Sequence, residues 1–331
     1  MMPTLLISGV SSYWGQRVAA RIAAEPLHAD SGLRLLGLDR KPPSTEIPGL
    51  DFIRGNLHNP LIFDLLTAEK VETVLHLDTP EAALSFLPMC AEAGIRRILL
   101  KSSTTVYGAH PANSLHLPET HPLDPKPPNA LRALVELEAF ANGLAAQYPS
   151  LTLTILRFAH ILGPTADTSL ARFLLDDRAP TLLGFNPLLQ LVHEEDVVAA
   201  LVHATLNDLP GVYNFAAEDA LPIHKILALA GKLPLPIAHP LAGRLPARLT
   251  PLPIEYLRYP CLAGLARMNH DFGLTPLHTA EETVAEFAAE VRRTRYMPDA
   301  LDAITGRISH QPLRDHVQRL THSGGEQDDT E

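Results

Sequence analysis

The chain has 331 residues, 46% apolar and 19% charged, enough to bury a sizeable core over roughly two units of ~100–200 residues each. Its formal charge of −10 argues against a nucleic-acid partner, because phosphate binding needs a basic surface, and the clustered cations are only pairs such as Arg96-Arg97 and Arg292-Arg293. Two distant cysteines, Cys90 and Cys261, make neither a disulfide framework nor a cysteine zinc site. The first residues lack a signal-peptide pattern, and no run of ~18 apolar residues exists to cross a bilayer. A cytoplasmic protein with no membrane partner is the expectation.

Short apolar runs alternate with helical patterns through the first half, which predicts βαβ units around a parallel sheet. Strands are expected at Thr4–Ser8, Arg34–Asp39, Asp51–Arg54, Thr73–Leu77, Arg97–Lys101 and Thr152–Arg157. The helices between them are expected near Gly15–Glu25, Pro60–Glu69, Glu81–Ala93 and Leu131–Gln147. In the last helix Leu134, Leu137, Phe140, Ala141 and Leu144 share one face. That face suits core packing, with a homodimer through 131–147 as the lesser alternative. Beyond Arg157 the pattern is irregular until a helix at Glu195–Leu206, a strand at Gly211–Phe215 and a helix at Pro222–Leu229. The fold class is α/β, a Rossmann doubly wound parallel sheet with a smaller C-terminal substrate lobe. The dinucleotide domain is expected over 1–165, completed by parts of 190–220, the lobe over 166–310, and a polar tail over 311–331.

The segment LLISGVSSYWGQRVAARIAAEP reads as strand, tight loop and helix, with Gly9 closing the strand and Gly15 opening the helix. Such a loop seats a pyrophosphate on the helix N-terminus, where free N–H groups and the dipole favour anions. Ser11, Ser12, Tyr13 and Trp14 lie between the glycines. Ser12 replaces the motif's middle glycine: its Cβ narrows the pyrophosphate space, while its hydroxyl can donate. A second strand ends in Asp39, where an acid takes the adenosine ribose hydroxyls and repels a 2′-phosphate. NAD is therefore favoured over NADP, although the adjacent Arg40 can hold a 2′-phosphate or lie over the adenine, and Asp39 as a plain polar strand end remains open.

These residues occur in series with Gly55-Asn56-Leu57, VLHL (Val74–Leu77), KSSTTVYG (Lys101–Gly108), LRFAHILGP (Leu156–Pro164), VHEEDVV (Val192–Val198) and GVYNFA (Gly211–Ala216). In that order they resemble the NAD-dependent epimerase/dehydratases, the extended short-chain dehydrogenases, to about residue 290, and most of all a UDP-glucose 4-epimerase-like subgroup. The resemblance implies that Gly9–Gly15 holds the pyrophosphate and Asp39 the ribose. It places Asn56 and Leu57 beside adenine, and Leu77, Asp78 and Thr79 beneath the cofactor. An acid at Asp78 is unusual there, since it meets the pyrophosphate with like charge. Ser103, four residues before Tyr107, matches the hydroxyl that bonds the substrate oxygen.

The departures from that family are as informative. Its Y-x-x-x-K dyad supplies the acid/base tyrosine and a lysine that holds the nicotinamide ribose. Aligned on Glu136, the stretch PPNALRALVELE puts Pro128 at the tyrosine position and Arg132 at the lysine position. Arg132 keeps a charge and is able to bind ribose, but a guanidinium is a different donor from an ammonium. Only 27 positions (103 − 76) separate His76 from Ser103, shorter than the family's usual spacing, which implies loss of much of the fourth helix and part of one wall.

Hydride chemistry needs a proton moved at the reacting oxygen, so a surrogate must lie near Ser103. His160, in the loop that passes the nicotinamide in this family, is the first candidate; a histidine bonded to backbone is the plainer reading. Tyr107 and His121 are weaker ones. His193, Glu194, Glu195 and Asp196 read as a helix start with acids against the dipole, so no metal is expected. Arg172, Arg178 and Arg258 suit a phosphate-bearing substrate, and the Leu/Pro-rich stretch from 233 to 260 suits an apolar pocket. Two functions follow: an NAD-dependent epimerase, dehydratase or oxidoreductase with an atypical active site acting on a nucleotide sugar or related hydroxy compound, the individual small molecule undetermined, or a catalytically silent NAD(P)-binding sensor or partner subunit. Trp14 or Asp78 turned into the slot would close it to any cofactor.

Overall fold

The computed structural model describes residues 3–25, 32–238 and 251–296; the 311–331 tail lies outside them. In chain order the first half runs β1 (Thr4–Ser8), α1 (Tyr13–Ala24), β2 (Arg34–Asp39), β3 (Leu50–Arg54), α2 (Leu61–Ala68), β4 (Val71–His76), α3 (Pro80–Glu92), β5 (Arg97–Ser103), α4 (Asn129–Gln147) and β6 (Thr152–Phe158). There follow β7 (His160–Leu162), α5 (Ser169–Leu175), β8 (Arg178–Leu182), β9 (Leu188–His193), α6 (Glu194–Leu206), β10 (Gly211–Phe215), β11 (Ala220–Pro222), α7 (Ile223–Leu229), β12 (Leu233–Ile237) and α8 (Ala280–Tyr296).

Seven strands pair in parallel in the order β10-β6-β5-β4-β1-β2-β3. Strands buried on both faces read as near-continuous apolar runs, and β1 (TLLIS) is buried at every position. One face packs against α1 and α6 through Leu5, Ile7, Leu75 and Leu99 with Val18, Ile22, Val197 and Leu201. The other packs against α2, α3 and α4 through Leu6, Leu36, Val74 and Ile98 with Ile62, Phe86, Leu137 and Leu144. The apolar face of α4 thus goes into the protein's own core, with Phe140 at its exposed margin.

The stretch that reads as irregular in sequence carries small sheets. β11, β9 and β7 form one, and β12 pairs in parallel with β8. Pro234 and Pro236 are tolerated in β12 because it has a single partner, so missing N–H donors disrupt no central ladder. A second core joins Phe173, Leu191, Ile226 and Phe287 beneath these elements. The shortened connection between β4 and β5 keeps one 13-residue helix, α3, capped by Thr79 with Pro80 in its first turn.

Candidate functional site

Strand order reverses beside β1, whose neighbours are β2 on one side and β4 on the other. In such sheets a crevice opens beyond the carboxyl ends of the strands at that point. Gly9 occupies it with φ +73°, and a Cβ there would fall 2.5 Å from the backbone nitrogen of Asp78. A Cβ on Gly15 would fall 2.2 Å from the Gly9 carbonyl oxygen. Both glycines are therefore required by close backbone approach, which lets α1 begin directly under the loop. Ser12 caps α1 by accepting from the Gly15 N–H at 3.0 Å, so its own hydroxyl proton stays available to an incoming oxygen.

Asp39 turns its carboxylate to this loop. It accepts from the Ser11 N–H at 3.0 Å and the Arg40 N–H at 2.6 Å, with two bonds fixing its rotamer at the end of β2. The Ser11 hydroxyl donates to the Lys41 carbonyl, tying the same corner from the other side. Arg40 is exposed and its carbonyl accepts from Arg54 Nε at 3.0 Å. Asn56 is exposed and folds its Oδ1 onto the His58 N–H, whereas Leu57 is buried in the core beside Leu38 and Ile62.

At the end of β4, Leu77 donates its N–H to the Ser8 carbonyl at 2.9 Å. Asp78 accepts from the Thr79 N–H at 2.7 Å and Thr79 caps α3. His76 joins the two strand ends: one ring nitrogen meets Ser8 Oγ at 2.8 Å and the other the Thr79 carbonyl at 3.1 Å. Because a carbonyl only accepts, Nε2 carries the proton and Nδ1 accepts from Ser8. Burial holds this ring's pKa down, so it is a neutral clip.

Tyr13 and Trp14 diverge from the loop. The Tyr13 hydroxyl meets Thr165 Oγ1 at 2.5 Å and Arg17, and Thr165 and Arg17 both bind Glu194 at the start of α6. Trp14 packs on the apolar cluster around β1, edge-on to Tyr13, with the Lys101 ammonium 5.3 Å above its ring centre. Both rings therefore brace α1.

Ser103 ends β5. Its Oγ accepts from the Thr105 N–H at 3.2 Å and the Thr105 hydroxyl at 2.9 Å, which leaves its proton to donate outward. The preceding Ser102 points to the other face and donates to Glu138 on α4. Glu138 in turn holds Arg157, with Nε at 2.9 Å and Nη2 at 2.5 Å from Oε2. Arg157 Nη1 donates to the Tyr107 hydroxyl at 2.7 Å, which donates to Asn214 Oδ1 at 2.7 Å. Burial pushes the Tyr107 phenol up to about 12. Tyr107 is thus a buried strut in a satisfied network.

His160 lies half-buried, edge-on to Tyr256 at 5.4 Å between ring centres, and among the described residues no backbone group bonds its ring. Burial pushes it down to about 4, so it stands neutral at pH 7 and is a weak base. Tyr256 donates to the Thr105 carbonyl at 2.9 Å and Cys261 reaches the Thr104 carbonyl, so the 254–261 segment lies over the turn after Ser103. Arg258 in that segment is half-buried with its Nε unbonded, its guanidinium 5.6 Å from the Tyr259 ring centre. Arg172 is paired with Asp167. Arg132 is exposed and bonds Asn129 at 2.9 Å, and Pro128 precedes the helix with extended backbone. The structure therefore gathers Gly9–Gly15, Asp39, Leu77, Asp78 and Thr79 at one crevice with Ser103 at the end of the next strand. It turns Arg132 to solvent on the first turn of α4.

A second cluster has His193, Asp196 and His278 with donor atoms within 4.8 Å of one another. Its acids already have partners: Asp196 accepts from the Leu277 and His278 N–H groups and from His278 Nδ1. His193 Nδ1 caps α6 by accepting from the Glu195 N–H at 3.2 Å, so the proton resides on Nε2, the nitrogen a metal would need free. This arrangement docks α8 onto α6.

Lys101, two residues before Ser103 on β5, also stands against Trp14, a group whose signal in the sequence is a lysine inside an otherwise apolar strand.

Known proteins share this fold. An uncharacterized protein of Mycobacterium tuberculosis is 27% identical over 316 residues, covering 86% of this chain and 82% of its own. The structure of MoeE5 in complex with UDP-glucuronic acid and NAD superposes with a TM-score of 0.66 at 21% identity, covering 88% of this chain and 99% of that one. A UDP-glucose 4-epimerase of Thermotoga maritima with UDP-glucose gives 0.63 at 17% identity, over 88% and 99%. Residues 5–216 match the NAD dependent epimerase/dehydratase family, and those are the residues that build the sheet, the glycine turn and the Asp39 corner, so the chain belongs to that family.

Proposed function

We propose that this protein binds NAD and uses it in oxidoreductase chemistry, of the epimerase or dehydratase kind, on a hydroxyl of a nucleotide sugar. The observation that carries the reading is the Gly9–Gly15 turn packed against Asp78, with the Asp39 carboxylate fixed one strand away. The α1 N-terminus then meets the pyrophosphate, and Asp39 accepts from the adenosine ribose hydroxyls and repels a 2′-phosphate. NAD, when bound, accepts and returns hydride at a carbinol carbon. Ser103 donates its free hydroxyl proton to the oxygen of that carbon and orients it. Arg258, in the segment whose Tyr256 and Cys261 contact that turn, keeps an unbonded Nε, which suits a diphosphate bridge. Tyr256 packs edge-on against His160 and donates to the Thr105 carbonyl, two residues past Ser103.

The test uses Trp14, the chain's single tryptophan, as a reporter. Its emission should change on adding NAD+ or NADH and change less with NADP+. UDP-glucose, UDP-glucuronic acid and dTDP-glucose are then offered with NAD+ while the absorbance of reduced cofactor and the sugar product are followed. No response of Trp14 to either nucleotide sinks the reading. Binding without turnover of any of these sugars favours the silent sensor instead.

A further inference from the structure

Lys101 has no counter-ion. Among the described residues no carboxylate pairs with it, and its recorded contact is the Trp14 ring. A cation–π contact is worth ~0.5–2 kcal/mol, less than the cost of holding an ammonium out of water. The residue is half-buried, and burial alone acts on its amine, with no opposite charge offsetting it. An unpaired, desolvated amine near the carboxyl end of a strand is poised for a ligand.

Its position narrows that ligand. Successive strand side chains alternate faces, so Lys101 and Ser103 leave β5 on the same face. Asp39 marks the adenosine end, on the β2 side of the glycine turn. A dinucleotide whose pyrophosphate crosses that turn extends its other half to the β4–β5 side, where Lys101 and Ser103 stand. On the reading of the site given above, we propose that Lys101 is the amine of this active site. It meets the ribose hydroxyls at the nicotinamide end and takes the proton of the hydroxyl being oxidised, which Ser103 orients. Arg132, which the resemblance sets at the family's helix-lysine position, is exposed, whereas Lys101 lies on the strand that carries Ser103.

The step balances. With NAD+ bound, the carbinol hydride would leave for the cofactor and the O–H proton would pass to the neutral amine of Lys101, while Ser103 donates to the same oxygen. A carbonyl and an ammonium would result, and the reverse transfer would restore the alcohol. Burial holds the Lys101 amine down to about 8, within reach of both protonation states near neutral pH.

Two readouts that need no turnover test the proposal. The first is Trp14 emission against pH in the wild type, Lys101→Met and Lys101→Arg, with circular dichroism confirming that each variant folds. A step near pH 8 is expected in the wild type and absent from both variants; a step that survives in Lys101→Met overturns the proton-carrying role. The second is periodate-oxidised NAD+, whose ribose dialdehydes form imines with a nearby amine, trapped with borohydride and mapped by mass spectrometry. Lys101 should be labelled, and a tenfold excess of NAD+ should suppress the label. Lys41, beside Asp39, is the internal comparison. Label at Lys41 with none at Lys101 overturns the proposal and leaves NAD binding standing. No label anywhere, with Trp14 indifferent to NAD+, removes both.

Discussion

Replacing Glu138 by glutamine should destabilise the protein by about 3 kcal/mol, at the lower end of the range for breaking a buried ion pair. Glu138 and Arg157 expose only 1% and 4% of their side chains. Glutamine keeps the shape, and its carbonyl can still accept from Ser102 Oγ. It removes the charge that offsets Arg157, leaving a guanidinium buried among Tyr107, the Glu119 carbonyl and an amide. Glu138→Ala adds a cavity and loses the Ser102 acceptor, so about 5 kcal/mol is expected. Against a total stability of about 5–15 kcal/mol either change is large. Urea unfolding followed by circular dichroism measures both, in a cycle with Arg157→Met and the double replacement. Because glutamine with methionine leaves no buried charge, the Glu138→Gln/Arg157→Met variant should recover much of the loss, with a coupling above about 1 kcal/mol. A loss under about 1 kcal/mol for Glu138→Gln, or no coupling, would refute the claim that this pair clamps α4 to β5 and β6.

Other substitutions probe the crevice and its histidines. Gly9→Ala should cost about 3 kcal/mol and weaken NAD+ at least tenfold, because a Cβ lands 2.5 Å from the Asp78 backbone at a left-handed φ; thermal unfolding and Trp14 titration read both. Asp39→Asn should weaken NAD+ by about ten- to hundredfold, since hydrogen bonds to a charged acceptor contribute about 1.5–3 kcal/mol, while NADP+ should lose less. Unchanged relative affinities would remove Asp39 from the ribose site. His160 titrates at 6.5 when unfolded and about 4 when folded. The unfolded chain therefore takes the proton first as pH falls, so stability is intact above 6.5 and declines by about 3 kcal/mol between 6.5 and 4. His160→Phe keeps the ring against Tyr256 and should flatten that decline in denaturant midpoints measured across this window; an equally steep loss in the variant would show that His76 and His193, whose pKa values are also lowered, carry it.

The sheet, the glycine turn and the Asp39 corner were legible because their causes are local. An apolar run with no alternation announces a strand covered on both faces, and a glycine at each end of a strand-to-helix turn announces close backbone approach. Ser103 was singled out by the family resemblance, and the strand expected to end at Lys101 runs on to include it. The small strands β7 to β9, β11 and β12 were not legible, since three to six residues with proline among them carry no period, and partners from distant sequence decide whether they pair. Nor could sequence separate the roles of its polar residues. Tyr107, Glu138 and Arg157 are ordinary letters until folding buries them within hydrogen-bond distance, where an unpaired member would be costly. Lys101 shows the same division. Only the structure carried β5 on to Ser103, so that the two alternate onto one face, and placed Lys101 over Trp14 and away from every described carboxylate. Backbone pattern is written in neighbours along the chain, whereas charge, protonation and partnership depend on what the fold brings near.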